Sequence, residues 1–129
     1  MHWEYPQKLD TKNTFGFVYL ITQKETKKAY IGCKQYFVKK NKKKVESDWK
    51  LYTGSNKTLN EEIKKLGKKH FRFQVIGEYK NKRSLRYYEC YYQIINHVLT
   101  AKLEGTDEPA YYNNYIGGKF YRPVQDPIE

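Results

Sequence analysis

The chain has 129 residues, of which 25 are Lys or Arg and 14 are Asp or Glu, so its formal charge is +11. That length suits one domain, and the excess of positive charge favours a polyanionic partner, with nucleic acid the first candidate and an anionic membrane surface the second. No apolar run approaches the ~20 residues of a membrane span, and the polar residues 1–10 do not have the pattern of a signal peptide.

The two cysteines, Cys33 and Cys90, lie far apart and form no Cys-x-x-Cys pair. With only three histidines in the chain, this pattern does not predict a zinc site. We expect both cysteines to be reduced thiols in a cytoplasmic protein, or in the host cytoplasm if a phage encodes it. A disulfide between them is the alternative.

The predicted elements follow an N-terminal arm over residues 1–14, which shows no periodicity. Two β-rich segments, 16–22 and 29–33, are separated by the polar stretch 23–28 and predict a hairpin. Residues 39–44 read Lys-Lys-Asn-Lys-Lys-Lys. Because so many charges of one sign cannot be buried together, this run predicts an exposed loop.

A first helix is predicted over residues 58–66. Thr58 and Glu61 have the spacing of a capping box, and Gly67 is a natural end. The residues that share one face of this helix are Leu59, Ile63 and Leu66. A third strand, with alternating apolar and polar residues, follows over 71–79.

The longest predicted helix covers residues 84–99. Its apolar stripe consists of Leu85, Tyr88, Tyr92, Ile95 and Leu99. Glu89 lies about 100° round the helix from Tyr88. It therefore borders the stripe, beside Asn96, where a carboxylate can point along the surface of a sheet.

The predicted order is β-β-α-β-α plus a tail. The chain is therefore expected to be an α/β protein with a small three-stranded antiparallel sheet flanked by helices. The expected domain covers residues 15–122, between the arm and a C-terminal tail over 123–129.

Two tripeptides in the hairpin resemble those of a known family. Phe17-Val-Tyr19 is a degenerate GIY, Tyr30-Ile-Gly32 is a literal YIG, and the two tyrosines are 11 residues apart. Later landmarks agree: a helix followed by Gly67, a strand containing Phe, Glu89 on a helix, and then Tyr112-Asn113 with Gly117 and Gly118. Over residues 15–120 the chain resembles the GIY-YIG nucleases, above all the phage-type, seg-like endonucleases related to intron-homing enzymes.

This resemblance implies a DNA endonuclease that hydrolyses phosphodiester bonds with one divalent metal ion. Glu89 would hold Mg²⁺ (or Mn²⁺), and Tyr30 would orient water or phosphate. Tyr19 would be a base or a water-positioning phenol. A phenol with an ordinary pKa near 10 is a poor base at neutral pH, so a cation must lower that pKa or the group acts by hydrogen bonding. Asn113, or its neighbour Asn114, would complete the metal shell or close the site.

One departure from the family pattern concerns its arginine. That position is Lys40 here, and no Arg precedes Phe71. The resemblance therefore implies that Lys34 or Lys40 takes the cationic role, or that the site is weakened. The lysines expected to contact DNA phosphates are Lys39, Lys40, Lys42, Lys43 and Lys44.

Each of these residues also has a structural interpretation. Tyr19 and Tyr30 could simply pack a hairpin, Glu89 could be a solvated carboxylate paired with Arg86, and Asn113 could be a turn residue. The alternative function is a non-catalytic nucleic-acid-binding protein on the same fold. A ribosome-associated basic protein would explain the charge, but neither Glu89 nor the tyrosine pair.

The expected partner is DNA, with RNA as an open alternative substrate and no membrane partner. A homodimer or a separate recognition partner would supply any sequence specificity.

Overall fold

The computed structural model describes residues 1–117 and 120–123. Gly118, which forms part of the family resemblance, and residues 124–129 of the expected tail lie outside the described residues. The elements in chain order are β1 (Trp3–Glu4), β2 (Gly16–Gln23), β3 (Ala29–Gln35), β4 (Phe37–Lys40), β5 (Lys43–Glu46), α1 (Lys57–Leu66), β6 (Phe71–Tyr79), α2 (Lys82–Ile95), β7 (Tyr115–Ile116) and β8 (Phe120–Tyr121).

The main sheet confirms the α/β class but not the expected topology. Strands β6, β2 and β3 are antiparallel, as predicted, but β1 pairs parallel to β6, so the sheet is mixed and has four strands in the order β1-β6-β2-β3. The extra strand is held by Trp3, which is buried and donates its indole N–H to the Trp49 carbonyl at 2.7 Å. Two residues carry no periodicity, so the sequence pattern could not reveal this strand.

The lysine run forms a hairpin rather than the predicted loop. Strands β4 and β5 pair with Lys39 opposite Lys44 and Lys40 opposite Lys43. Asn41 and Lys42 form the turn, with φ of 53° and 63°, the positive values that tight hairpin turns require. The prediction was wrong because all of these lysines are exposed to water, where like charges on paired strands repel each other only weakly.

The first helix begins one residue before the predicted start. Its cap is Asn56, whose side chain accepts the Leu59 amide at 2.9 Å, so the predicted capping box at Thr58 is wrong. Gly67 ends the helix as predicted, with φ of 96°.

The second helix ends at Ile95, before the predicted Leu99, and presents a different face to the sheet. Its buried residues are Leu85 and Gln93, whereas Tyr88 and Ile95 of the predicted stripe are exposed. Leu99 does enter the core, but from the turn after the helix.

The alternation of β2 separates two cores on the two faces of the sheet. Phe17, Tyr19 and Ile21 join an aromatic-rich core that includes α1, whereas Val18 packs with Leu85 of α2. Cys33 and Cys90 are free thiols. Within residues 1–117 and 120–123, the helices are too short or too polar to cross a membrane.

Candidate active site

A cleft of about 560 Å³ opens at the free edge of the main sheet, where β3 meets α2. Because β3 is the edge strand, side chains from both faces of the sheet reach this cleft. Three predicted site residues line it together: Tyr30, Glu89 and Asn113. The other lining residues are Cys33, Ser55, Asn56, Lys57, Arg86, Gln93, Asn114, Tyr115 and Gly117.

Glu89 reaches the cleft because α2 turns it toward the sheet. Leu85 and Gln93, one turn away on either side, are both buried. The Glu89 carboxylate accepts hydrogen bonds from the thiol and the backbone amide of Cys33. Burial raises the pKa of Glu89, and these bonds together with the positive charge of Arg86 partly oppose that shift.

The structural interpretation of Glu89 as a solvated ion-pair partner does not describe its surroundings. Among the residues that the structure describes, no salt bridge within 4.0 Å involves Glu89. The negative charge of Glu89 acts on Cys33 instead. Burial first, and then the nearby Glu89 carboxylate, raise the pKa of the Cys33 thiol to about 12. Cys33 is therefore a protonated donor at neutral pH.

Tyr30 forms the wall of the cleft opposite α2. Its hydroxyl lies 3.1 Å from the Ser55 Oγ. Burial raises the pKa of Tyr30 to about 12. The phenol is therefore neutral at physiological pH and can donate a hydrogen bond into the cleft.

Tyr19 does not line the cleft. It is 1% exposed, its ring centre is 6.2 Å from that of Tyr30, and it donates a hydrogen bond to Tyr52. Burial, reinforced by the neighbouring tyrosines, raises the pKa of Tyr19 well above its ordinary value. A base at neutral pH would need a lowered pKa, but burial and the neighbouring groups all shift the pKa of Tyr19 the other way.

Asn113 and Gln93 both bind backbone groups of the edge strand that, within the described residues, no neighbouring strand pairs with. The Asn113 amide accepts the Ile31 N–H at 3.1 Å and donates to the Ile31 carbonyl at 2.9 Å. Gln93 donates to the same carbonyl at 2.9 Å. These two buried amides replace the neighbouring strand that β3 lacks, and so they fix the position of the cleft wall.

The two lysines predicted to replace the family arginine lie outside the cleft. Lys34 forms a salt bridge with Asp48 at 2.7 Å, and its Nζ lies 4.0 Å from the centre of the Tyr52 ring. It lines an adjoining pocket of about 280 Å³ instead. Lys40 lies in the β4–β5 hairpin with the other lysines predicted to contact DNA, and none of them lines the cleft.

Among the described residues, two cations line the cleft, Lys57 and Arg86. Sequence reasoning did not consider Lys57, and it considered Arg86 only as an ion-pair partner. Arg86 precedes Glu89 by three residues, so the two side chains are neighbours on the helix surface. Ser55, Cys33 and Gln93 were also missed. The spacing of Gln93, four residues after Glu89, was the one available signal, because i and i+4 share a helix face.

Comparison with known families identifies the family of the chain. Residues 3–116 match the family model described as "Putative endonuclease segE, GIY-YIG domain". The match begins at Trp3, the first residue of β1, and includes Tyr19, Tyr30, Glu89 and Asn113. Comparisons with curated proteins and with solved structures give no significant match. With nearly the whole chain matched, the protein belongs to the seg-type GIY-YIG endonuclease domain family.

Proposed function

We propose that this protein is a DNA endonuclease that hydrolyses phosphodiester bonds in the cleft between β3 and α2. The observation that carries the proposal is the placement of one half-buried carboxylate, Glu89, beside a phenol and a guanidinium in a single cleft. Such a cleft offers a metal ligand, a hydrogen-bond donor and a positive charge, which are the groups that phosphodiester hydrolysis requires.

The donor set of the cleft suits a hard divalent ion. Within the described chain, no three His, Cys, Asp or Glu side chains cluster around a common point, so Glu89 would be the protein's anionic ligand. Mg²⁺ prefers oxygen ligands and can be held by one carboxylate, waters and substrate phosphates; Mn²⁺ is the alternative. Bound there, the ion would lower the pKa of a water molecule and polarise a phosphoryl oxygen.

The two tyrosines take different proposed roles. Tyr30 lies in the cleft wall, and its hydroxyl donates a hydrogen bond to a phosphate oxygen or to the attacking water. Tyr19 is a positioning residue: it packs beneath Tyr30 and Gly32. Its raised pKa favours hydrogen bonding over base chemistry. Asn113 acts through Ile31, by holding the edge strand in place.

Neutralisation of the scissile phosphate is assigned to Arg86. Its side chain lines both the cleft and the adjoining pocket, and a guanidinium can bind two phosphate oxygens at once. Lys34 and Lys40 stay the candidates predicted from sequence. Of these, Lys34 would first have to leave Asp48.

The decisive experiment incubates supercoiled plasmid with purified protein in Mg²⁺, Mn²⁺ or EDTA. We expect nicked or linear DNA with either ion and none in EDTA. Glu89→Gln should abolish the products, whereas Glu61→Gln, an exposed glutamate of α1 that does not line the cleft, should not. Intact plasmid with the wild-type protein under every condition would overturn the proposal.

The second candidate is a nucleic-acid-binding protein without catalysis. The observation that favours it is that Lys34 is paired with Asp48 and that Lys40 lies outside the cleft, so neither predicted replacement for the family's arginine lines the cleft. The same samples distinguish the two functions. Retarded migration of intact DNA, with no cutting in either metal ion, would support the binding protein.

A further inference from the structure

Three neighbouring pockets form one groove that leads away from the active-site cleft. The cleft shares Cys33 and Arg86 with the adjoining pocket of about 280 Å³. That pocket in turn shares Phe15 and Lys82 with a third pocket of about 570 Å³, next to the β4–β5 hairpin. The groove therefore passes along the N-terminal half of α2.

The third pocket is strongly cationic. Its charged lining residues are Lys12, Lys39, Lys44, Lys80 and Lys82, which we call the lysine groove. Among the residues that the structure describes, no Asp or Glu lines it or the middle pocket, where Arg86 adds further positive charge and Lys34 is paired with Asp48. The carboxylate that lines these three pockets is Glu89, at the far end.

The cations of the groove come from distant parts of the chain, and the fold holds those parts together. Glu78, near the end of β6, accepts hydrogen bonds from the Asp10 amide at 2.9 Å and the Thr14 hydroxyl at 3.2 Å. Tyr36, which precedes β4, donates to the same carboxylate at 2.7 Å. This network fixes the segment that carries Lys12 against the strand end that precedes Lys80.

We propose that the lysine groove holds the phosphate backbone of duplex DNA on one side of the scissile bond and leads it to Glu89. The inference rests on the proposed function and adds the path of the substrate. A polyanion fits a continuous cationic groove without acidic side chains, and lysines act as flexible point charges that contact phosphates without reading bases.

The register of the hairpin makes this proposal specific. Lys39 and Lys44 are opposite each other and line the groove, whereas the next pair, Lys40 and Lys43, does not. The two pairs have equal charge and lie on the same hairpin. A general attraction of DNA to the net charge of the protein would involve both pairs equally, but the groove would involve the first.

The test is a fluorescence-anisotropy titration of a labelled duplex in EDTA, at several salt concentrations. Each phosphate that the protein neutralises contributes about 0.9 to the slope of log K against log salt. The Lys39→Ser, Lys44→Ser double variant should therefore lose about two units of slope. The control double variant Lys42→Ser, Lys43→Ser, whose two lysines are exposed on the same hairpin and do not line the groove, should keep the wild-type slope.

A second variant examines the opposite wall of the groove. Lys12→Ser combined with Lys80→Ser should also lose about two units of slope. Equal changes for the two hairpin variants, or an unchanged slope with both groove-lining pairs, would overturn the proposal. Because EDTA prevents metal-dependent cutting, these outcomes are independent of whether the protein is a nuclease, which the plasmid experiment decides.

Discussion

Gly32 makes room for Tyr19. The two residues face each other across strands β2 and β3, and the Tyr19 hydroxyl lies 2.5 Å from the point that a Cβ on Gly32 would occupy. The Tyr30 ring lies 3.0 Å from the same point. The glycine of the YIG tripeptide thus lets both motif tyrosines pack against one position of the edge strand.

Gly32→Ala should therefore destabilise the protein. A methyl group at this position must displace the buried Tyr19 ring, and overpacking of a core typically costs about 1–3 kcal/mol. Urea unfolding followed by circular dichroism measures the loss. Because Tyr19→Phe removes the closest atom, the double variant should lose less than the sum of the two single variants. Additive losses of stability would show that the methyl group added at position 32 does not clash with the Tyr19 hydroxyl.

Glu89→Ala and Tyr30→Phe should each abolish cutting while DNA binding stays near the wild-type level. Loss of the proposed metal carboxylate removes several kcal/mol of transition-state stabilisation, and loss of the hydroxyl removes its hydrogen bond to the substrate. Single-turnover rates on plasmid and anisotropy in EDTA separate the two effects. Full activity of Glu89→Ala would refute the proposed mechanism.

Arg86→Ala should lower the cutting rate by about 10²-fold or more, in line with the loss of one donor that stabilises developing charge. Arg83 is the matched control, since it is an exposed arginine on the same helix that does not line the cleft. Arg83→Ala should change the rate little. Lys34→Ala and Lys40→Ala complete the comparison, because a loss confined to either of them would transfer the role from Arg86 to that lysine.

His2 should make stability depend on pH. Its Nε2 lies 2.8 Å from the Tyr52 carbonyl, and burial lowers the pKa of His2 below its ordinary value of 6.5. The folded protein thus favours the neutral ring. The contribution of neutral His2 to the stability of the folded protein is fully present above the pKa of His2 in the unfolded chain, about 6.5. It is lost as the pH falls through the lower pKa of His2 in the folded protein.

The measurement compares the wild type with His2→Gln in urea between pH 5 and pH 8. The free energy of unfolding of the wild type, relative to the variant, should decrease as the pH is lowered from 7.5 to 5. A difference that stays constant or increases toward low pH would contradict the assigned direction of the pKa shift.

Local patterns predicted the central hairpin, the strand over 71–79 and the existence of both helices. These elements have strong local signals: β-rich composition in β2, alternation in β6, apolar spacing in α1 and α2, and Gly67 as a helix end. The family resemblance pointed to Tyr30, Glu89 and Asn113, which the fold brings to one cleft. The family resemblance, based on the same residues, agrees with the matched family model.

Other features depend on contacts between residues far apart in the chain, which no local pattern records. Trp3 forms a strand because a carbonyl of Trp49 and the aromatic core are available to it. The exposed lysine run pairs as a hairpin, and its own composition gave no sign of this pairing.

By itself, then, the sequence determined the elements whose periodicity is local, the positive charge, and the residue types of a nuclease. Only the tertiary structure shows which cations line the cleft with Glu89, because Lys34 is paired with Asp48 while α1 and α2 bring Lys57 and Arg86 there. It also decided that Tyr19 is buried and that five lysines from separate segments line one groove. Burial and proximity are properties of the packed chain, since they depend on which distant residues exclude water from a given side chain.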